Sequence, residues 1–583
     1  MPRAGARGGL PGAGARMMRR RLGQALGALL LVVGAGCSHR VPEATAAEQV
    51  VSGAPTVYVA KRIRTLDAAR PLAQALAVRD GQVLAVGSRE EVLAAVGPTA
   101  RVVDLGDATV VPGLTDSHGH LAGLGQALAG VRLEGTASLD EVRKRLEEAP
   151  PTAYQGDWLM GQGWDQNDWA EKRFPTLQDM GVRLQDKPVV LGRVDGHALW
   201  LNGEALRRAK ITRDTPNPPG GIIVRLPDGT PSGVLIDNAM DLMNGVIPAP
   251  TDAQHAARLT AALEHCARVG LTGVHDAGMD LRTFRLLKQW DKEGHLALRI
   301  YAMADGQTAD REQYLKDGPF QGKLLTLRAV KLLTDGALGS RGAALHTAYS
   351  DEPGQQGLLV LSPEEYSKRV HAFIARGFQV ATHAIGDRAN TLVLDTLLRE
   401  MEATGKKDGR HRVEHAQVMR PEDITRLGAN GFVASVQPTH ATSDMPWAQD
   451  RLGPERVQGA YAWQKLKAAG AVLAMGSDFP VERPDVLAGL YAARTRQDAS
   501  GQPPGGWQPD QRLSGEEALE GFTVGAAYAS FAEDKRGRLK PGQDADFVAL
   551  SVDPVDGPAT DLLTAQVRLT VVAGREVFRA AAP

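Results

Sequence analysis

The sequence predicts an α/β protein: a (β/α)8, TIM-like barrel, a small composite β-sandwich domain formed by both chain ends, and an insertion over the barrel mouth. Three observations carry this prediction. From Leu114 to about Ala532, apolar strand-like runs alternate with amphipathic helical patterns, as βα units on a parallel sheet require. Runs such as RAVKLLTDG, FQVATHAIGD and AVLAMGSDFP each end in polar or charged residues, at the strand edge where such a barrel carries its chemistry. Both ends of the chain hold short β-like runs, too few at either end to bury a core alone.

At the N-terminus, Arg16, Arg19, Arg20 and Arg21 precede an apolar run from Ala25 to Val33 and the small residues Gly34-Ala-Gly-Cys37. A basic region, a short apolar core and small residues form an export signal. Its ending resembles a bacterial lipobox, with Gly34 in place of the usual Leu, so residues 1–37 are expected to be a signal peptide. Cys37 becomes the lipidated first residue of a protein anchored in the periplasm or cell envelope. A plain cleaved signal is the alternative, and Arg19-Arg20-Arg21-Leu22 hints at twin-arginine export. Residues 38–53 form a tether. Cys266 lies in the helical pattern LTAALEHCARVG and is expected in the core.

The composite domain is expected at 54–112 and 536–583, with Arg79-Asp-Gly-Gln82 as a hairpin turn between alternating runs. The barrel is expected at 113–535, Pro112-Gly113 being the hand-over from the small domain. Too many residues lie between His120 and Lys331 for plain βα units, so 130–255 is assigned to the insertion, and strands 2 to 4 are left open. In 583 residues the net charge is -1, which gives no global electrostatic case for nucleic acid or an anionic membrane surface. No stretch after residue 40 approaches the roughly 20 apolar residues of a membrane helix. The only membrane contact expected is the lipid anchor.

The stretch VVPGLTDSHGH puts His118 and His120 on one strand face, since residues i and i+2 point the same way. Two neutral imidazoles so placed can grip one ion, although an isolated pair fits a surface loop equally well. Lys331, His383, His415, Gln437 and Asp478 also sit at strand ends. The intervals Lys331–His383 and His383–His415 each accommodate one βα unit, and His415–Asp478 accommodates two. That count places ligands on strands 1, 5, 6 and 8, with the lysine on strand 4.

With PGLTDSHGH, HAIGDRAN, RVEHAQ and GSDFPVE, the chain resembles the amidohydrolase superfamily of metal-dependent barrels. QGWDQNDW, RVDGHALWLN, TGVHDAG and VKLLTDGALGSRGAAL narrow the resemblance to the amidohydrolase-3 group, which includes an N-substituted formamide deformylase and the YtcJ-like hydrolases. The resemblance runs from about Val57 to Phe578. It implies two divalent metal ions, zinc being expected, held by His118, His120, Lys331, His383, His415 and Asp478. Lys331 would be carboxylated to bridge the ions, the alternative being a salt bridge to Asp335 or to another acid. Asp478 would also exchange protons as a catalytic residue. Mononuclear deaminases of the superfamily carry a Glu three residues after the fifth-strand histidine; position 386 here is glycine, with Asp387 off by one.

Five further positions are expected near substrate. His197, following Asp195, is a catalytic candidate that could polarise a carbonyl. Asp195, Trp164, Arg341 and His275 are substrate-binding candidates; the structural alternatives are a hydrogen-bonded loop histidine for His197, insertion packing for Trp164, a surface role for Arg341, and core or support for His275. His255, His265 and His295 fall in helical patterns and are read as structural. The function these residues imply is metal-dependent hydrolysis, by metal-activated hydroxide, of a non-peptide carbon–nitrogen bond in a small amide-like molecule such as an N-substituted formamide or N-acyl compound. Hydrolysis of an ester, lactone or cyclic imide, and a catalytically inactive solute-binding lipoprotein, are the alternatives. The resemblance also allows a homodimer.

Overall fold

The computed structural model describes residues 53–181, 184–405 and 408–581. The signal segment, Cys37 and nearly all of the tether lie outside the described residues. No helix among the described residues is long and apolar enough to cross a membrane.

Eight parallel strands form the barrel sheet: β1 (Leu114–Gly119), β2 (Leu271–Met279), β3 (Arg299–Asp305), β4 (Leu325–Leu333), β5 (Gln379–Ala384), β6 (Arg412–His415), β7 (Val433–Val436) and β8 (Val472–Met475). Every residue of β5, β6 and β7 is buried, as expected for parallel strands covered on both faces. The ring closes just past β8. The backbone N–H of Asp478 donates to the His118 carbonyl at 2.7 Å, and that of His120 donates to the Phe479 carbonyl at 2.8 Å. Asp116 completes the closure by accepting the Ser477 hydroxyl at 2.6 Å and the His118 N–H at 3.0 Å.

The strands left open by the sequence are resolved: TGVHDAG is in β2, RIYAMAD is β3, and Lys331 is on β4. His118 is on β1, His383 on β5 and His415 on β6, with Asp478 just beyond β8, so the interval count holds. His295 corrects the sequence reading: its helix ends at Glu293, and Gly294 (φ 78°) turns the chain before it.

Both chain ends join in one sheet. Thr109–Pro112 pairs antiparallel with Phe547–Leu550, which continues to Val567–Val572 and Arg575–Arg579. Strand Thr56–Arg64 serves two leaves: its first half pairs with Arg101–Asp104 and its second with Thr109–Pro112. The Asp80-Gly81 turn has φ of 52° and 78°, the left-handed pair of a two-residue hairpin. Arg62 and Arg64 on the first strand both pair with Asp553 beyond Phe547–Leu550, tying the ends by charge.

A third sheet is the insertion, with strands from Val131 to Asp237. It has its own core, in which Trp164, Trp169 and Trp200 stack edge and face within 6.2 Å of one another. The following helix, Asp252–Arg268, leads into β2 and buries Cys266.

Candidate metal centre

The strand ends converge on a cavity of about 820 Å3 between barrel and insertion. His383, His415 and Asp478 line it from the barrel, Asp165, Asp195 and His197 from the insertion. The Asp478 carboxylate is the hub. Its Oδ1 lies 3.0 Å from His120 Nε2 and 3.5 Å from His118 Nε2, and its Oδ2 lies 4.0 Å from His415 Nε2.

Local backbone geometry builds this convergence. Asp478 has φ 61° and His415 has φ 72°, left-handed values that cost a non-glycine residue about 1 kcal/mol or more. In a regular strand, neighbours point to opposite faces. Yet the Glu414 carboxylate and the His415 ring both meet His118, at 2.5 Å and at a 4.9 Å ring separation. The turn at His415 removes the alternation, so two successive side chains face the barrel interior.

His118, His383, His415 and Asp478 have the protonation states a divalent cation needs. Burial first, then the Lys331 charge, lowers His118 to about 4. Burial and the neighbouring histidines hold His383 and His415 well below the usual imidazole range. Asp478 is buried too, but the surrounding histidines outweigh that and hold its carboxyl well below the usual range. Neutral imidazoles around an ionised carboxylate are a nitrogen–oxygen set suited to zinc.

His118 is oriented from behind. Its Nδ1 faces Glu414 Oε2, which accepts that N–H and leaves Nε2 as an acceptor turned toward Lys331 Nζ and Asp478. Glu414 in turn takes two bonds from Arg412, at 2.7 and 3.1 Å, and both residues are fully buried. The Arg412 charge overcomes the burial penalty and holds Glu414 ionised. Arg412 also donates to the Ser117 carbonyl at 2.7 Å and to Ser435 Oγ at 3.0 Å.

Lys331 is buried, with its Nζ 2.7 Å from His118 Nε2, and burial lowers it to about 8. Among the described residues no carboxylate lies within 4.0 Å of it. Asp335, its alternative partner in the sequence reading, instead accepts backbone N–H groups from Ala344, Ile385 and Gly386 at 2.8–3.1 Å. His383 has its ring 4.6 Å from His415, while its Nε2 is 3.4 Å from the Gly336 carbonyl oxygen. Two groups bring ligand atoms within 4.8 Å of one another: His118, His120 and Asp478, and His415, His440 and Asp478.

His197 and Asp195 stand on the cavity wall. The His197 Nδ1–H donates to Asp237 Oδ1 at 2.7 Å. Burial disfavours its charge, but the Asp237 bond and charge prevail and raise it to about 9. Asp195 pairs with Arg193 and accepts the His197 backbone N–H at 3.0 Å, so it shapes the loop that carries His197.

Three of the substrate-binding candidates take the positions of their structural alternatives. Trp164 is fully buried in the insertion core, its indole N–H donating to the Leu191 carbonyl at 2.8 Å, and it does not reach the cavity. Arg341 pairs with Asp351 at 2.9 Å and Glu352 at 3.2 Å, away from the cavity wall. His275 lies inside the barrel, where its Nδ1 accepts from Arg412 at 2.9 Å, and Arg412 in turn holds Glu414. His265, read as structural, does border the cavity.

At position 386 the fold leaves no room for a side chain. A Cβ there would sit 2.0 Å from the Ala344 carbonyl oxygen, and Asp387 is engaged with the His346 N–H at 2.9 Å. The sequence reading missed Arg412, Glu414, Asp237 and His440. Arg412 and Glu414 were visible as two charges in a four-residue buried strand.

Residues 101–578 match the model of the amidohydrolase family. The chain belongs to the amidohydrolase family. It is 34% identical over 87% of its length to a Bacillus subtilis (strain 168) protein named as an amidohydrolase, YtcJ, of which it covers 96%. It is 27% identical over 88% of its length to the N-substituted formamide deformylase of Arthrobacter pascens, of which it also covers 96%. A crystal structure of an uncharacterized metal-dependent hydrolase from Pyrococcus horikoshii OT3 superposes with TM-score 0.71 at 29% identity, covering 87% of this chain and 99% of that one. This family member is a metal-dependent hydrolase.

Proposed function

We propose that the protein hydrolyses a non-peptide carbon–nitrogen bond, in an N-substituted formamide or another N-acyl amine, with two divalent ions, zinc being the expected metal. One observation carries the reading: Asp478, which lines the cavity, faces the ligand nitrogens of His118, His120 and His415 at 3.0–4.0 Å. The filled position 386 supports amide hydrolysis over deamination, because an acid beside the fifth-strand histidine has no space there. The deformylase relative points to the same bond type.

His118, His120, His383, His415 and Asp478 would hold the ions, with Lys331 carboxylated between them. Bound ions supply a water acidified to a pKa of about 7 and polarise the carbonyl. Asp478 accepts the proton that leaves the attacking water and delivers it to the nitrogen as the carbon–nitrogen bond breaks. His197, charged and fixed by Asp237, hydrogen-bonds the carbonyl oxygen as negative charge develops on it. For Lys331, the neutral amine adds to carbon dioxide, forming an N–C bond and losing one proton to solvent. Burial without an acidic partner favours this derivative, which replaces a lone ammonium by an anion.

The test is a panel of N-formyl, N-acyl, cyclic-imide and ester substrates, run beside metal analysis. Two ions per chain, amide cleavage, and loss of turnover in Asp478→Asn are expected. Protein without metal, or esters cleaved and no amides, refutes the reading. Export and lipid anchoring at Cys37 belong to the same proposal, on the sequence alone. Labelled palmitate incorporated by wild type and lost in Cys37→Ser is the expected result; equal labelling refutes it.

A further inference from the structure

We propose that His440 is a metal ligand, forming with His415 and Asp478 the binding site of the second divalent ion. The inference rests on the two-ion reading and goes beyond it, since His440 is absent from the ligand set the sequence implies.

Four observations converge. First, the ligand atoms of His415, His440 and Asp478 lie within 4.8 Å of one another, and all three residues are buried. Ligands about 2.1 Å from one ion sit about 3.4 Å apart in a tetrahedral shell, so small adjustments of these side chains suffice. Second, His440 Nε2 is buried and has no hydrogen-bond partner. A buried nitrogen without a partner costs about 1–3 kcal/mol, so its persistence needs a reason. No carboxylate oxygen of a described residue lies within 4.0 Å of the ring, which excludes a simple ion pair as that reason.

Third, one segment positions both histidines. Gln437 Oε1 accepts from His415 Nδ1 at 2.9 Å, which leaves His415 Nε2 for a cation. Helix Pro438–Arg456 begins immediately after Gln437 and presents His440 in its first turn. The two rings are parallel, 8° apart in plane, with centroids 6.0 Å apart. Fourth, Asp478 has two faces: Oδ1 toward His118 and His120, Oδ2 toward His415. A carboxylate so placed can serve one ion with each oxygen.

The experiment is metal stoichiometry and spectroscopy on the full chain. After zinc loading and dialysis, wild type should retain two ions and His440→Ala one, with the second ion bound at least tenfold more weakly. Equal unfolding midpoints of the metal-free forms check that His440→Ala is folded. His440→Cys loaded with cobalt(II) supplies a second readout, because a thiolate bound to cobalt gives an intense near-ultraviolet charge-transfer band absent from wild type. Wild type retaining fewer than two ions refutes the two-ion reading and this inference with it. Two ions retained equally well by His440→Ala refutes this inference alone.

Discussion

Replacing Glu414 by Gln tests whether the inside of the barrel holds the metal centre in place. The change keeps size and shape but removes one charge from a pair in which both side chains are fully buried. Arg412 would keep its contacts to Ser117, Ser435 and His275, yet lose the counter-charge that repays its burial. Breaking a buried pair from one side costs about 3–5 kcal/mol. The amide must also face both Arg412 and the His118 Nδ1–H, and its nitrogen meets one of these donors with another donor. The expected result is a lower urea midpoint of the metal-free protein and ion binding weaker by about 10–100-fold, as for other groups that orient metal-binding histidines. Adding Arg412→Met should restore part of the stability, because the orphaned charge disappears. The coupling should exceed about 1 kcal/mol. A Glu414→Gln protein within about 1 kcal/mol of wild type, with unchanged ion affinity, would refute the reasoning.

Three other outcomes follow from local geometry. Gly386→Ala should destabilise by about 3 kcal/mol, because its Cβ meets backbone atoms of Ala344 at 2.0–2.7 Å; thermal melting checks this, and an unchanged midpoint contradicts it. Trp164→Phe should lose about 1–2 kcal/mol of stability through the Leu191 bond and lost packing, while KM for any cleaved amide stays at the wild-type value; a raised KM would return Trp164 to the substrate. Asp553 is partly buried, but its bonds from Arg64 outweigh that and lower it to about 2. A depressed carboxyl contributes stability above its unfolded value of about 3.9 that is lost as pH falls toward 2. Asp553→Asn should therefore flatten the acid limb of the stability curve between about pH 4 and pH 2; an unaltered limb would show that the pair does not tie the chain ends together.

The sequence makes the barrel legible through spacing, because each βα unit consumes a similar length of chain and each ligand must end a strand. Lys331, His383, His415 and Asp478 obey that rule, and the structure places them at β4, β5, β6 and beyond β8. What spacing cannot encode is side-chain direction where the backbone leaves its regular path. Glu414 and His415 are adjacent, so alternation would send one of them outward; only the left-handed turn at His415 brings both to His118. Trp164 fails for the opposite reason. An apolar residue in a motif looks the same whether it lines a cavity or fills a core, and the stack with Trp169 and Trp200 exists only once the insertion sheet has formed. His440 combines both difficulties: it lies on a helix rather than at a strand end, and its meaning depends on an unpaired nitrogen that only packing reveals. The positions hardest to read are thus those where a strained turn or a helix start re-aims a polar group into the cavity. In a barrel whose strands only bring polar side chains near one another, such departures set which atoms face the cavity.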